Sequence, residues 1–305
     1  MQIIDVRKLW DKAPHNAFTD LVHFKGHWFC VFREGSSHVS PDGAIRIIKS
    51  LDGHNWVSAT RIESEVSDLR DPKLTVRPDG QLMLSCAEAL HDKTHCTHRS
   101  LVWHSPDGSI WSDKTTVGDA NFWLWRHTWH DRAVYSIGYD CGKGEFVRLY
   151  RSQDGRKYVP INSRLFDVGS PNETSLVFRG SHAYCLLRRD GSPDTALLGT
   201  SIEPYTEWEW KDLGKEIGGP HMAILPDGRC ISVVRLYDDK VRTAVCEIDL
   251  AKGKLTELFA LPSGKDTSYA GIVVHGKELW ISYYSSHEGI SAVYLARVLW
   301  STVLQ

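Results

Sequence analysis

The segment Leu21-Val-His-Phe-Lys-Gly-His-Trp-Phe-Cys-Val-Phe32 decides the fold. Apolar and polar residues alternate on both sides of Lys25-Gly26, the pattern of two half-buried strands joined by a tight turn whose glycine takes φ > 0. The pattern returns over residues 74–84 around Gly80, 123–137 around Asp131, 175–187 around Gly180, 223–234 around Gly228 and 271–282 around Gly276. Successive turns lie about 50 residues apart, the interval of propeller blades.

Between hairpins runs a second element: Ser50-Leu-Asp-Gly-His-Asn-Trp56, Ser105-Pro-Asp-Gly-Ser-Ile-Trp111 and Ser152-Gln-Asp-Gly-Arg-Lys-Tyr158. Each follows a strand-like run such as Ile45-Arg-Ile-Ile-Lys49, which places it at the turn from the third to the fourth strand of a repeat. The Asp can accept from its own turn backbone, the Gly takes φ > 0, and the aromatic three residues on packs the turn down. Thr200-Ser-Ile-Glu-Pro-Tyr-Thr-Glu-Trp-Glu-Trp210 is a degenerate copy. After Tyr294-Leu-Ala-Arg-Val298 the chain nearly ends with its last repeat one strand short, and Gln2-Ile-Ile-Asp-Val6 is placed to supply it and close the ring. The expectation is an all-β, six-bladed β-propeller with four-stranded blades, one domain over residues 1–305.

Composition narrows the function. Of 305 residues 42% are apolar and 24% charged, and no apolar run approaches the ~18 residues of a membrane helix, so a globular chain with no membrane partner is expected. Lys plus Arg number 36 against 38 Asp plus Glu, leaving no basic excess for a nucleic-acid backbone. Met1 leads into mixed charges without an apolar signal segment, and the seven cysteines have neither disulfide-framework nor zinc spacing. Reduced thiols and a cytoplasmic location are expected.

In a propeller the innermost strands line a channel, and the residues that open them ring one face together with those at the end of the second strand. Here that rim collects Arg33, His38, Arg70, Asp71, Trp123, Glu173, Arg188, Arg235, Asp266 and Tyr269. Such a rim suits an anionic, hydroxyl-rich ligand: guanidinium forks match a carboxylate, while carboxylates and imidazoles suit sugar hydroxyls and proton transfer.

These repeats resemble the sialidase superfamily, whose Asp-box is the Ser-x-Asp-x-Gly-x-x-Trp element, here one residue shorter before its Gly. The likeness covers essentially the whole chain. In that family a Glu opens the fourth blade and an Arg ends its second strand, the places of Glu173 and Arg188. A further Arg ends strand two of blade five, the place of Arg235, and a Tyr opens blade six, the place of Tyr269. The resemblance implies a retaining exo-glycosidase, without a cofactor, acting on a terminal acidic sugar of an oligosaccharide or glycoconjugate. Tyr269 is then the nucleophile, Glu173 its base, and Arg188 with Arg235 the carboxylate grip. A neutral Tyr suits an anomeric carbon whose own carboxylate repels an anionic nucleophile.

The chain departs from the family in two places. The family's first Arg should fall near Ala17-Phe18-Thr19, and its acid/base Asp aligns with Ala44. Arg33 or Arg70, with Asp71 beside it, is the expected substitute on the substrate, and Asp42 or His38 the expected proton donor. Two other functions stay open: β-elimination on a uronic acid glycoside by Tyr and His, and glycan binding without catalysis. For the quartet of Glu173, Arg188, Arg235 and Tyr269 the plain alternative is a structural network between blades. His91, His95, Cys96 and His98 match no standard zinc spacing, so no metal is expected.

Overall fold

The computed structural model describes residues 1–142 and 145–300, which form 23 β-strands and, among the described residues, no helix. Strand β1 spans Gln2–Trp10. A first unit holds β2 (His15–Phe24), β3 (His27–Gly35), β4 (Ala44–Ser50) and β5 (Val57–Ile62). A second holds β6 (Ser67–Val76), β7 (Leu82–Leu90), β8 (His98–Ser105) and β9 (Thr115–Val117). The third holds β10 (Phe122–His130), β11 (Ala133–Asp140), β12 (Val147–Ser152) and β13 (Val159–Phe166). Then come β14 (Pro171–Arg179), β15 (His182–Arg189), β16 (Thr195–Ile202), β17 (Glu209–Ile224), β18 (Cys230–Leu236), β19 (Arg242–Asp249) and β20 (Lys254–Ala260). The last strands are β21 (Thr267–His275), β22 (Glu278–Ser285) and β23 (Ala292–Leu299).

Four sheets have four antiparallel strands each, and β14 to β20 form a seven-stranded sheet. The long β17 serves twice in it: its first half, to Glu216, pairs with β16, and from Ile217 onward it pairs with β18. The sheet counts therefore fit six four-stranded repeats. Strands β2, β6, β10, β14, the second half of β17 and β21 pack in turn around an axis, and β21 returns to β2. Strand β1 completes the last sheet by pairing with β23, with Ile3 opposite Val298 and Val6 opposite Ala296, and it runs on to Trp10, beyond the stretch the sequence pattern marked.

The turn chemistry explains these boundaries. Gly26, Gly80, Gly180, Gly228 and Gly276 all have positive φ, and Asp131 does the same at 45°. In the Ser50–Trp56 turn, Asp52 Oδ1 accepts the His54 and Asn55 amides, both at 2.8 Å, and Ser50 Oγ accepts the Gly53 amide at 2.9 Å. Asp107 and Asp154 repeat that pattern with their own turns. In the degenerate copy Tyr205 takes the positive φ (66°), and Trp208 Nε1 donates to its carbonyl at 2.9 Å, as Trp56 does to Gly53 at 3.1 Å. The Gly53 turn presses on the Trp280 ring, which stacks on Trp28 at 4.1 Å, so the first and last repeats are pinned together.

Apolar side chains fill the gaps between neighbouring sheets. Val31 and Ile47 of the first unit, for example, pack with Leu84 and Leu101 of the second, all fully buried. Each such side chain contributes roughly 1.5–3 kcal/mol. All seven cysteines are free.

One irregularity recurs and prepares the site. Every inner strand slips register once: between Ala17 and Asp20, Arg70 and Lys73, Leu124 and His127, Pro171 and Thr174, Gly218 and His221, and Ser268 and Gly271. Within these slips Phe18, Asp71, Gly219, Ser268 and Tyr269 have positive φ. Bulges of this kind re-aim side chains, and three of these residues, Phe18, Asp71 and Tyr269, line one cavity at one end of the axis.

Candidate active site

Tyr269 sits on the bulge of β21 with φ 50°, and its hydroxyl donates to Glu173 Oε1 of β14 at 2.6 Å. Glu173 Oε2 accepts the Gly219 amide at 2.7 Å. Only glycine fits there, because φ is +56° and a Cβ would stand 2.8 Å from the Tyr269 ring. Arg188 Nη1 lies 2.9 Å from Glu173 Oε1 and donates to Tyr269 Oη at 3.0 Å, while its Nη2 pairs with Asp190 at 2.8 Å. Burial pulls the Glu173 pKa up, but the Arg188 charge, the Tyr269 hydroxyl and the Gly219 amide outweigh it, so the net direction is down. Burial and the Glu173 charge push Tyr269 well above an ordinary phenol. At neutral pH the pair is therefore a neutral phenol donating to a carboxylate that can accept its proton.

Arg235 stands behind the same tyrosine, its guanidinium 5.2 Å from the ring centre. It donates to the Thr267 carbonyl at 2.8 Å, to Tyr284 Oη at 2.9 Å and to Asp266 Oδ1 at 3.1 Å. The other Asp266 oxygen meets His15 Nε2 at 3.0 Å and His38 Nδ1 at 2.8 Å. His15, His38 and Asp266 are the one group of possible metal donors that converges among the described residues. Arg235 and Tyr284 hold the remaining Asp266 oxygen, so the group is an ion-paired network tying the β3–β4 loop to the start of β21.

A cavity of about 710 Å³ opens in front of this pair, walled by Phe18, Arg70, Asp71, Trp125, Glu173 and Tyr269 together with the loop from His38 to Pro41. Trp123 adds an apolar wall, stacked against Tyr139 at 5.5 Å and His98 at 5.6 Å. Asp71 is 4% exposed, and its Oδ1 has no hydrogen-bond partner among the described residues. Burial raises its pKa against the pull of the Lys73 and Arg70 charges, the direction a proton donor needs.

The remaining sequence candidates are distributed as follows. Arg70 faces the cavity, held by the His38 carbonyl at 3.0 Å and Asp68 at 3.2 Å, and His38 forms part of the rim. Arg33 is 0% exposed and fully engaged by Asp68 at 2.7 Å, the Ser37 carbonyl at 2.9 Å and Ser40, so it staples the loop and does not reach the cavity. Asp42 does not reach it either. Its carboxylate is turned to the Ser36 amide and hydroxyl and faces a separate hollow with Trp10, Glu34 and Arg46. The Ser40 and Ser36 hydrogen bonds hold Asp42 down to about 2, the reverse of what a proton donor needs. Of the His/Cys cluster, His91 donates to the Pro41 carbonyl, Cys96 turns to the His98 carbonyl and His98 stacks on Trp123, so the donors do not converge. Sequence reasoning missed the Gly219 amide; the doubled Gly218-Gly219 inside an apolar run was the available signal.

No protein-family model matches the chain, and no curated protein matches it in sequence. Solved structures do resemble it. A protein of unknown function from Dyadobacter fermentans superposes with a TM-score of 0.83 at 18% identity, covering 98% of each chain. Penicillium chrysogenum α-L-arabinanase complexed with arabinobiose gives 0.75 at 14% identity, over 100% of this chain and 99% of that one. Trypanosoma rangeli sialidase in complex with sialic acid gives 0.71 at 10% identity, over 97% of this chain and 57% of that one. At these identities the likeness is one of fold, an all-β, propeller-like architecture.

Proposed function

We propose that the chain is a single-domain, six-bladed β-propeller glycosidase that removes a terminal acidic sugar from an oligosaccharide or glycoconjugate with retention of configuration. The reading rests on one observation, the 2.6 Å hydrogen bond from Tyr269 to Glu173 at the wall of the cavity. In the first step Tyr269 Oη attacks the anomeric carbon and its proton passes to Glu173. The glycosidic bond breaks as Asp71 gives its proton to the departing oxygen. In the second step Asp71 takes a proton from water, the resulting hydroxide displaces Tyr269 from the anomeric carbon, and Glu173 returns the proton to the phenolate. Arg70 lines the cavity and Arg188 and Arg235 flank Tyr269, which suits a substrate carboxylate that takes one of these forks from its present partner. That the fold is shared with a sialidase and an arabinanase supports a glycosidase in general terms.

A second reading has its own observation. The Arg188 and Arg235 forks already hold Glu173, Asp190 and Asp266, and the Trp123 face is apolar, which favours a neutral sugar attacked by Glu173 itself. A panel of aryl α-sialosides, aryl uronides and aryl α-L-arabinofuranosides, assayed with wild type and Tyr269→Phe, decides between the two. Turnover of an acidic glycoside that Tyr269→Phe abolishes supports the first reading. Turnover confined to the arabinoside overturns it, as does a product with the near-ultraviolet absorbance of an unsaturated uronide.

A further inference from the structure

Behind the pocket, on the axis of the ring, lies a second cavity of about 310 Å³, to which all the inner strands contribute. Its lining is charged. Lys73 of β6 is 3% exposed, with the Pro72 carbonyl at 3.3 Å as its hydrogen-bond acceptor and the Trp125 ring at 5.1 Å. An ammonium carries three donors, so most of its capacity has no protein partner among the described residues. Arg126 of β10 donates to Asp20 at 3.1 Å and to the Ala270 carbonyl at 2.7 Å, but its buried Nε has no partner there. His127 touches Ser85 through Nδ1 at 3.1 Å and leaves a buried Nε2 without one.

Charges of opposite sign are too few to match. Asp20, the carboxylate in this lining, is engaged on both oxygens, by Arg126 and by the Leu74 amide at 2.9 Å. Burial lowers Lys73 to about 8, which leaves it an ammonium at neutral pH, and lowers His127 and His221 to about 3, which leaves them neutral. Asp71 and Glu173 also pull on Lys73 from the pocket side, but Glu173 is already paired with Arg188 and burial biases Asp71 toward its neutral form. Within the lining itself two buried cations face one carboxylate, and an uncompensated buried charge is expensive unless something pairs with it.

We propose that this channel cavity is a binding site for a small inorganic anion of the chloride type, held by the Lys73 ammonium together with Arg126 Nε–H. The proposal does not depend on the glycosidase reading. It has a consequence for that reading, because Lys73 lies two residues from Asp71 on β6 and an anion beside it weakens the positive field at that carboxyl.

The test uses the full chain. Thermal unfolding is followed in potassium chloride against potassium glutamate at fixed ionic strength, and crystals are soaked in bromide. The expected result is a Tm that rises along a saturating curve with chloride, by about a few degrees, a dependence that Lys73→Met removes. An anomalous bromide peak between Lys73 and Arg126 is expected in the wild-type crystal, a readout that stands even where Lys73→Met does not fold. Equal melting in the two salts, or a wild-type channel without a bromide peak, overturns the proposal.

Discussion

Replacing Asp71 separates chemistry from stability in opposite directions. The variant of choice is Asp71→Asn, because the residue has φ 50° and Asn tolerates that left-handed conformation where Ala does not. As the proton donor, Asp71 contributes on the order of 10²–10⁴ in rate when the leaving oxygen is a sugar alkoxide. With an acidic aryl leaving group, expulsion needs little protonation and the loss in the first step is small. Stability moves the other way. The folded-state pKa of Asp71 is raised, so between its unfolded and folded values the native state holds a proton that the unfolded chain has released. The contribution to stability is full below the unfolded pKa and falls as pH rises through the folded one. An Asn has no charge to desolvate, so above the folded-state pKa the replacement removes a penalty of about 1.4 kcal/mol for each pH unit by which burial raises the carboxyl. For a chain of this size that is roughly 2–4 °C in Tm per kcal/mol. The assay pairs kcat/KM on an oligosaccharide and on an aryl glycoside with melting curves at pH 5 and pH 8. The variant should lose activity mainly on the oligosaccharide, lose the alkaline limb of the pH profile, and gain Tm more at pH 8 than at pH 5. Equal losses on both substrates, or a lower Tm at pH 8, would refute the reasoning.

Other outcomes follow from the same geometry. Arg33→Met removes a buried ion pair, leaves Asp68 with Arg70 alone and frees the Ser37–Ser40 loop that walls the cavity, so chemical denaturation should register a loss of about 3–5 kcal/mol and KM should rise. Asp42→Asn should leave kcat, KM and the alkaline limb as they are, since this carboxylate stays ionised and faces another hollow; a lost alkaline limb would return it to the site. Gly219→Ala pushes on the Tyr269 ring and disturbs the amide that holds Glu173, so kcat should fall more than KM changes. Gly53→Ala forces a Cβ against Trp280, and overpacking of that kind should appear as a loss of roughly 1–3 kcal/mol without a change in KM.

The fold was legible because its determinants are local. Each hairpin carries its turn glycine or aspartate at the right interval, and each Ser-x-Asp-Gly turn closes through hydrogen bonds within a few residues. The doubled use of β17 was not legible, because the hairpin pattern starts only at residue 223 and nothing between Glu209 and Met222 marks a strand running unbroken from one repeat into the next. Within the site, Glu173 and Tyr269 are 96 residues apart, and only the repeat register, read through the family likeness, brings them together. Arg33 and Asp42 occupy rim positions by sequence. What removes them from the cavity is the path of the β3–β4 loop, whose hydroxyls and carbonyls capture both side chains. The protonation bias of Asp71 and the charge excess at Lys73 depend on burial from several strands at once, a quantity no single stretch of sequence carries.

The central claim is that Tyr269, with Glu173 as its base, is the nucleophile, and covalent trapping tests it most directly. The protein is incubated with a fluorinated acidic glycosyl fluoride that forms its glycosyl-enzyme faster than water resolves it, and the labelled peptide is sequenced by mass spectrometry. The account predicts one sugar on the Tyr269 peptide, formed more slowly in Glu173→Gln and absent in Tyr269→Phe. A sugar on Glu173, or steady turnover of the parent glycoside by Tyr269→Phe, would contradict it.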